Sequence, residues 1–78
     1  MNVRTRFVHL KGGVLMSAGA KLKELRGNRT QQEVADALGI SKSALAMYEG
    51  DNRVPRDEVK RKLAQYYGQT IQFIFYSE

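Results

Sequence analysis

The side chains that could carry covalent chemistry are few in this 78-residue chain, and they lie far apart. Nucleophilic catalysis needs a hydroxyl or thiol beside a base. The chain has no cysteine, and its one histidine, His9, precedes every serine at no interpretable spacing. One imidazole without a thiolate does not complete a metal site. Gly12-Gly13 and Gly27 lack the strand, lysine and hydroxyl context of a phosphate-binding loop. The acidic residues fall in helix caps and on helix surfaces. The expectation is a non-enzyme with no catalytic residue, no metal, no cofactor and no small-molecule substrate.

A net charge of +5 suggests a polyanionic partner, but its location tempers the suggestion. Arg4, Arg6 and Lys11 supply three of the thirteen basic residues, and no acid precedes Met16. From Ser17 onward the balance is ten basic against eight acidic, the charge of an ordinary solvated surface. Pattern must therefore carry the functional argument.

The elements that position side chains divide the chain at Met16. Residues 1–15 form a basic leader whose Arg4-Thr5-Arg6-Phe7-Val8-His9-Leu10 run is β-prone without a turn or partner strand nearby, so a poorly ordered or extended segment is expected. Two readings of the leader stay open. Lys11-Gly12-Gly13 can be encoded by G-rich codons resembling a ribosome-binding site just upstream of Met16, which would make Met16 the natural start. Alternatively, the leader is a flexible basic arm that reaches DNA.

Residues 16–78 read as one helical domain. Such a small domain buries roughly 60% of the surface its unfolded chain exposes, so helix packing must do most of the stabilising. Ser17 can cap a first helix with Ala18, Leu22 and Leu25 inward and Lys21, Lys23, Glu24 and Arg26 on the surface, ended by Gly27-Asn28. Thr30-Gln31-Gln32-Glu33 is a capping box for a second helix, with Val34, Ala35 and Leu38 inward and Gly39 as its exit. Ser41 can cap a third helix through Ala44, Leu45 and Tyr48 to about Glu49. After the Gly50-Asp51-Asn52 turn and Pro55, a fourth helix carries Asp57 and Glu58 near its positive end and a Val59, Leu63, Tyr66 stripe. Gly68 ends it, and Thr70 can cap a fifth with Ile71, Ile74 and Phe75 on one face. No apolar run reaches the ~20 residues that span a bilayer, and the N-terminus lacks a signal-peptide core, so a cytoplasmic protein is expected.

The second and third helices are joined by a turn of three or four residues containing glycine, the linkage of a helix-turn-helix. Ala35 is small where the helices cross, Gly39 permits the turn, and Ile40, Leu45 and Tyr48 plug the angle. The same pattern also occurs in inert bundles. Further similarity comes from Thr30-Gln31-Gln32-Glu33-Val34-Ala35, Leu38-Gly39-Ile40-Ser41-Lys42-Ser43, Tyr48-Glu49, Arg53-Val54-Pro55 and Ile71-Gln72-Phe73-Ile74-Phe75. Together they resemble the Cro/C1-type (XRE) helix-turn-helix family, and the small regulators of prophages and mobile elements in particular. The resemblance covers about residues 17–76. It departs at one point: the family's usual glycine falls two residues after the glutamate, where this chain has Asp51, with Gly50 one residue early. Asp tolerates left-handed geometry, so the turn is expected to survive.

The resemblance implies an all-α, lambda-repressor-like five-helix bundle whose third helix enters the major groove of double-stranded DNA. Base reading then falls to Lys42, Ser43, Ala46 and Met47: Lys42 can donate to guanine, Ser43 can donate or accept, and Ala46 or Met47 can touch a thymine methyl. Phosphate contacts fall to Gln31 and Ser41 at helix starts and to Asn52, Arg53 and Arg56 in the loop after the reading helix. For Arg53 and Arg56 the competing reading is surface pairing with Asp51, Asp57 or Glu58. Glu49 holds the turn or pairs with a cation, since phosphate would repel it. Tyr48, Tyr66 and Tyr67 have the spacing of packing residues rather than base-stacking ones.

Phe73, Phe75 and Tyr76 crowd a short helix, so part of this surface is expected to pack on a second copy of the chain. A homodimer would set two reading helices about 34 Å apart on an inverted-repeat operator. The function expected is a Cro/C1-like transcriptional repressor. The alternatives are an antitoxin-like module that mainly binds protein, and nucleoid-like binding without sequence preference.

Overall fold

Side-chain caps start the first, second, third and fifth helices, and left-handed glycines end the second and fourth; a computed structural model describing residues 10–11 and 14–76 shows how these helices assemble. Helix α1 (Ala18–Arg26) starts where Ser17 Oγ accepts the Ala20 amide at 3.1 Å. Helix α2 (Gln31–Leu38) has both halves of the capping box, with Thr30 Oγ1 accepting the Glu33 amide at 3.0 Å and Glu33 Oε1 accepting the Thr30 amide at 2.8 Å. Gly39, at φ 72°, turns the chain into α3 (Lys42–Glu49), capped by Ser41 Oγ on the Ala44 amide at 3.0 Å. Helix α4 (Asp57–Tyr67) follows buried Pro55 and exits through Gly68 at φ 68°. The last helix, α5 (Gln72–Tyr76), is wound as a π-helix, and Thr70 Oγ1 accepts the Phe73 amide at 3.0 Å.

Each helix contributes to one core: Leu22, Val34, Ala35, Leu38, Leu45, Tyr48, Leu63, Ala64 and Ile74 are buried together. Burying a side chain of leucine size stabilises by about 1.5–3 kcal/mol. Helix α3 packs on both α1 and α2, while α5 closes the bundle against α1. The expected all-α bundle and its helix-turn-helix are thus present.

Four local expectations need correction. Leu10–Lys11 and Val14–Leu15 do have strand partners, namely each other: they pair antiparallel as β1 and β2, with Leu10 opposite Leu15 and Lys11 opposite Val14. In the sequence, a Gly-Gly pair between two short apolar runs is a hairpin signal that the reading of the leader passed over. The expectation for residues 1–9 lies outside the described residues.

Lys21 is buried rather than on the surface. Its stem is buried, and Nζ donates to the Phe73 carbonyl at 2.8 Å, joining α1 to the neighbouring α5. Arg26 is also drawn inward, toward Glu49. On α4, Tyr66 is exposed and the buried stripe runs through Leu63 and Ala64 to half-buried Tyr67.

Candidate nucleic-acid interface

Helix α3 is two-faced because its apolar residues recur at helical spacing. Leu45 and Tyr48 enter the core, leaving Lys42, Ser43 and Met47 exposed and Ala46 half-buried on the other side. Lys42 therefore offers an uncommitted ammonium beside a hydroxyl and two apolar groups. Among the described residues Lys42 makes no hydrogen bond or ion pair. Ser41 is exposed just before them. Its oxygen accepts the capping amide, which leaves the O–H free to donate outward.

The N-termini of α2 and α3 meet at one shallow depression lined by Arg29, Thr30, Gln31, Gln32 and Lys42. The first amides of a helix have no intrahelical acceptor and carry the positive end of the helix dipole. The depression is therefore suited to an anion. Gln31 is half-buried there, and its Nε2 donates to Glu49 Oε1 at 3.0 Å.

Glu49 is the hub behind this surface. Its side chain is only 2% accessible, and it accepts Arg26 Nε at 2.8 Å and Nη2 at 3.1 Å. Arg26 Nη1 also donates to the Arg29 carbonyl at 2.8 Å, fixing the α1–α2 turn. The hydrogen bonds that Arg26 donates to Glu49 raise the already high pKa of its guanidinium. Tyr67 lies on the same hub: burial first, then the charge of Glu49, pushes its phenol up to about 12. Arg29 sits over both the Tyr66 and Tyr67 rings, at 5.4 and 5.5 Å.

Beyond α3, the loop is held by its own turn. Asp51 adopts φ 60°, so the residue in place of the usual glycine does take the left-handed conformation. It also does something a glycine could not. Its Oδ2 accepts the Ser17 hydroxyl at 2.6 Å, and its Oδ1 accepts the Gly19 amide at 2.9 Å, so a residue after α3 caps α1. Gly19 makes the approach possible: a Cβ there would lie 2.5 Å from the Glu49 carbonyl oxygen and 2.7 Å from that of Tyr48.

Asn52 and Arg53 follow on this braced turn, and Arg56 precedes α4; all three are exposed. The Asn52 amide donates to the Met47 carbonyl at 2.9 Å. Among the described residues neither Arg53 nor Arg56 forms an ion pair, so the pairing with Asp51, Asp57 or Glu58 is not made.

The structure thus brings Gln31 and Lys42 to one depression and sets Arg53 on a different groove, shared with Val54, Pro55, Phe75 and Tyr76. Of the three aromatic residues expected at a subunit contact, Phe75 and Tyr76 line that groove. Phe73 is half-buried with its ring 5.4 Å from Lys21 Nζ. Among the described residues Val54 and Tyr76 are the most exposed large apolar ones, at 77% and 56%. The cation expected for Glu49 is Arg26, which the sequence had placed on the surface, while the bond from Gln31 to Glu49 and the Asp51 cap were not anticipated. Opposite charges near apolar positions were visible, but the distances in sequence hid the pairing.

A short capped helix held against a second by a glycine turn, with an exposed polar face on the following helix, defines a helix-turn-helix domain of the DNA-binding class. The chain matches the family described as "Helix-turn-helix domain" over residues 19–75, and it belongs to that family. It is also similar to the cryptic phage CTXphi transcriptional repressor RstR of Vibrio cholerae. The two are 37% identical over 54 residues, which cover 67% of this chain and 49% of that protein. The chain therefore spans about half the length of the curated relative it matches. Among the described residues no helix is long and apolar enough to cross a membrane.

Proposed function

We propose that the chain is a sequence-specific transcriptional regulator of double-stranded DNA, a Cro/C1-like repressor of phage or mobile-element type, acting in the cytoplasm without catalysis. The observation that carries this reading is the outer face of α3. Lys42, Ser43, Ala46 and Met47 take no part in the core, although the opposite face of the same helix is fully packed. In the major groove Lys42 donates to guanine, Ser43 adapts to either partner, and Ala46 and Met47 meet thymine methyls.

Gln31 and the α2 N-terminus grip one phosphate. Ser41, Asn52, Arg53 and Arg56 grip others along the flanking backbone and fix the register. Two copies act on an inverted repeat, joined through the aromatic end of the chain. Tyr76 offers the most exposed surface there, Phe75 lies beside it, and Phe73 stands nearer the core. The similarity to a phage repressor supports the regulatory role.

Selection of bound duplexes from a random pool tests the reading, followed by titration of the winner and a scrambled duplex at several salt concentrations. A winner that is an inverted repeat and binds at least about a thousandfold tighter than the scramble supports the reading. Equal binding to both duplexes would leave only counterion-driven association and remove the repressor function.

A further inference from the structure

We infer that Glu49 is a positioning residue for the phosphate grip at the start of α2, an inference that rests on the DNA-binding function proposed above. A carboxamide has a donor end and an acceptor end of nearly the same shape, and only the donor end can serve a phosphate oxygen. Glu49 Oε1 accepts Nε2 of Gln31 at 3.0 Å, and the flipped amide would set oxygen against oxygen. The carboxylate therefore selects one orientation of the amide. Nε2 carries two hydrogens. One is spent on Glu49, and the second is kept for an anion in the depression that Gln31 lines with Gln32 and Lys42.

Glu49 can select the orientation because it is itself fixed. Arg26 holds both carboxylate oxygens at 2.8 and 3.1 Å, and it compensates a negative charge that would otherwise repel phosphate. The same guanidinium binds the Arg29 carbonyl, so the turn leading to Thr30 and the start of α2 is tied to the same point. Glu49 is also the last residue of α3. These bonds thereby fix the distance between the base-reading helix and the phosphate grip, so that one register satisfies both.

A double-mutant cycle on the full chain tests this, with titrations of the selected duplex by wild type, Gln31→Ala, Glu49→Gln and the double variant. Gln31→Ala is expected to weaken binding about tenfold, the order of one hydrogen bond to a charged group. Glu49→Gln is expected to weaken it comparably, since a carboxamide partner accepts either orientation of Gln31. The double variant should bind no more weakly than Gln31→Ala alone.

In 15N-labelled protein the Gln31 side-chain NH2 signals should shift in Glu49→Gln while those of Gln32 stay in place. Glu49→Asp keeps the charge opposite Arg26 but withdraws the carboxylate from Gln31. It repeats the cycle without neutralising a buried partner and is expected to lose binding. The melting temperature is expected to fall as well, because the shortened carboxylate also retreats from Arg26, so binding is compared at a temperature where circular dichroism shows every variant folded. Additive losses in the cycle would overturn the positioning role, because Glu49 would then act on the fold alone. Lys42→Ala separates the two levels of failure. If it loses base preference while Gln31→Ala changes nothing, the reading helix stands and the role of Glu49 falls. If both variants bind as wild type does, the DNA-binding reading falls first.

Discussion

Along α3, Leu45, Tyr48 and Glu49 are almost sealed from water, while Lys42, Ser43 and Met47 stand in it one turn or less away. The sealed side is rich in partners: Leu45 sits in the core, Glu49 takes three hydrogen bonds, and the turn that follows caps α1 through Asp51. Among the described residues the open side's side chains have no hydrogen bond or ion pair. The difference teaches how a small domain can present a rigid reading surface. The helix is immobilised by its inner face and its C-terminal end, so its outer residues are free to be chosen for the partner. Substitutions on the sealed side should therefore cost stability, and those on the open side should cost recognition alone.

The largest effect is expected from Leu45→Ala, which empties space at a fully buried position. Such truncations cost about 2–5 kcal/mol, a large part of what a domain this small possesses. Urea unfolding followed by circular dichroism should show it. A variant that loses operator binding while keeping its urea midpoint would break the division between the two sides.

Gly19→Ala comes next, and its sign is the informative part. In an exposed helix interior alanine is favoured over glycine by about 1 kcal/mol. Here the added methyl would press on the Glu49 and Tyr48 carbonyl oxygens at 2.5 and 2.7 Å, both backbone atoms that cannot swing aside. The expected outcome is destabilisation of about 1–3 kcal/mol. A higher melting temperature would show that α1 does not press on the end of α3 as closely as argued.

On the open side the effects should leave the melting temperature unchanged. Lys42→Ala is expected to relax preference at one base pair and cost roughly 1–3 kcal/mol there, read by titrating duplexes substituted at each position. Arg53→Ala should weaken all sequences alike and reduce the salt slope by about 1. Identical behaviour of the two variants would mean that the division into base-reading and phosphate-binding residues is wrong.

What could be read from the sequence follows the same line between local and distant causes. Ser17, Thr30, Glu33, Ser41 and Thr70 announced the helix starts, because a cap and the amide it binds lie within three residues. Gly39 and Gly68 announced exits for the same reason. Lys21 and Arg26 looked like solvated charges because their partners, Phe73 and Glu49, lie far along the chain and become neighbours only once the bundle closes. Asp51 was expected to tolerate its turn, but its reach to Ser17 and Gly19 depends on where α1 lies across the end of α3. Tyr66 and Tyr67 illustrate the limit of periodicity alone: the residue expected on the buried stripe is the more exposed of the two and its neighbour the more buried, decided by a rotation of α4 that its own sequence leaves ambiguous.

Tyr67 also supplies the smallest expected effect, and one that depends on pH. Its hydroxyl is buried and makes no hydrogen bond among the described residues, so at neutral pH it contributes desolvation without a bond. Tyr67→Phe should then lie within about 0.5 kcal/mol of wild type at pH 7. In alkali the two proteins should diverge. The phenol is pushed from its ordinary value of 10.0 up to about 12 in the folded chain, so the unfolded state releases the proton first. Below pH 10 the native state keeps the full advantage. Between 10 and 12 the unfolded chain binds fewer protons than the native one, so stability falls as pH rises. The phenylalanine variant has no such proton to lose, so comparing its urea midpoint with that of wild type at pH 7 and pH 11 isolates the effect from the other titrating groups. The variant should gain on wild type at the higher pH. A constant difference across the two conditions would show that the Tyr67 phenol is neither desolvated nor raised by the charge of Glu49, and the sealed side of α3 would then be wetter than its geometry indicates.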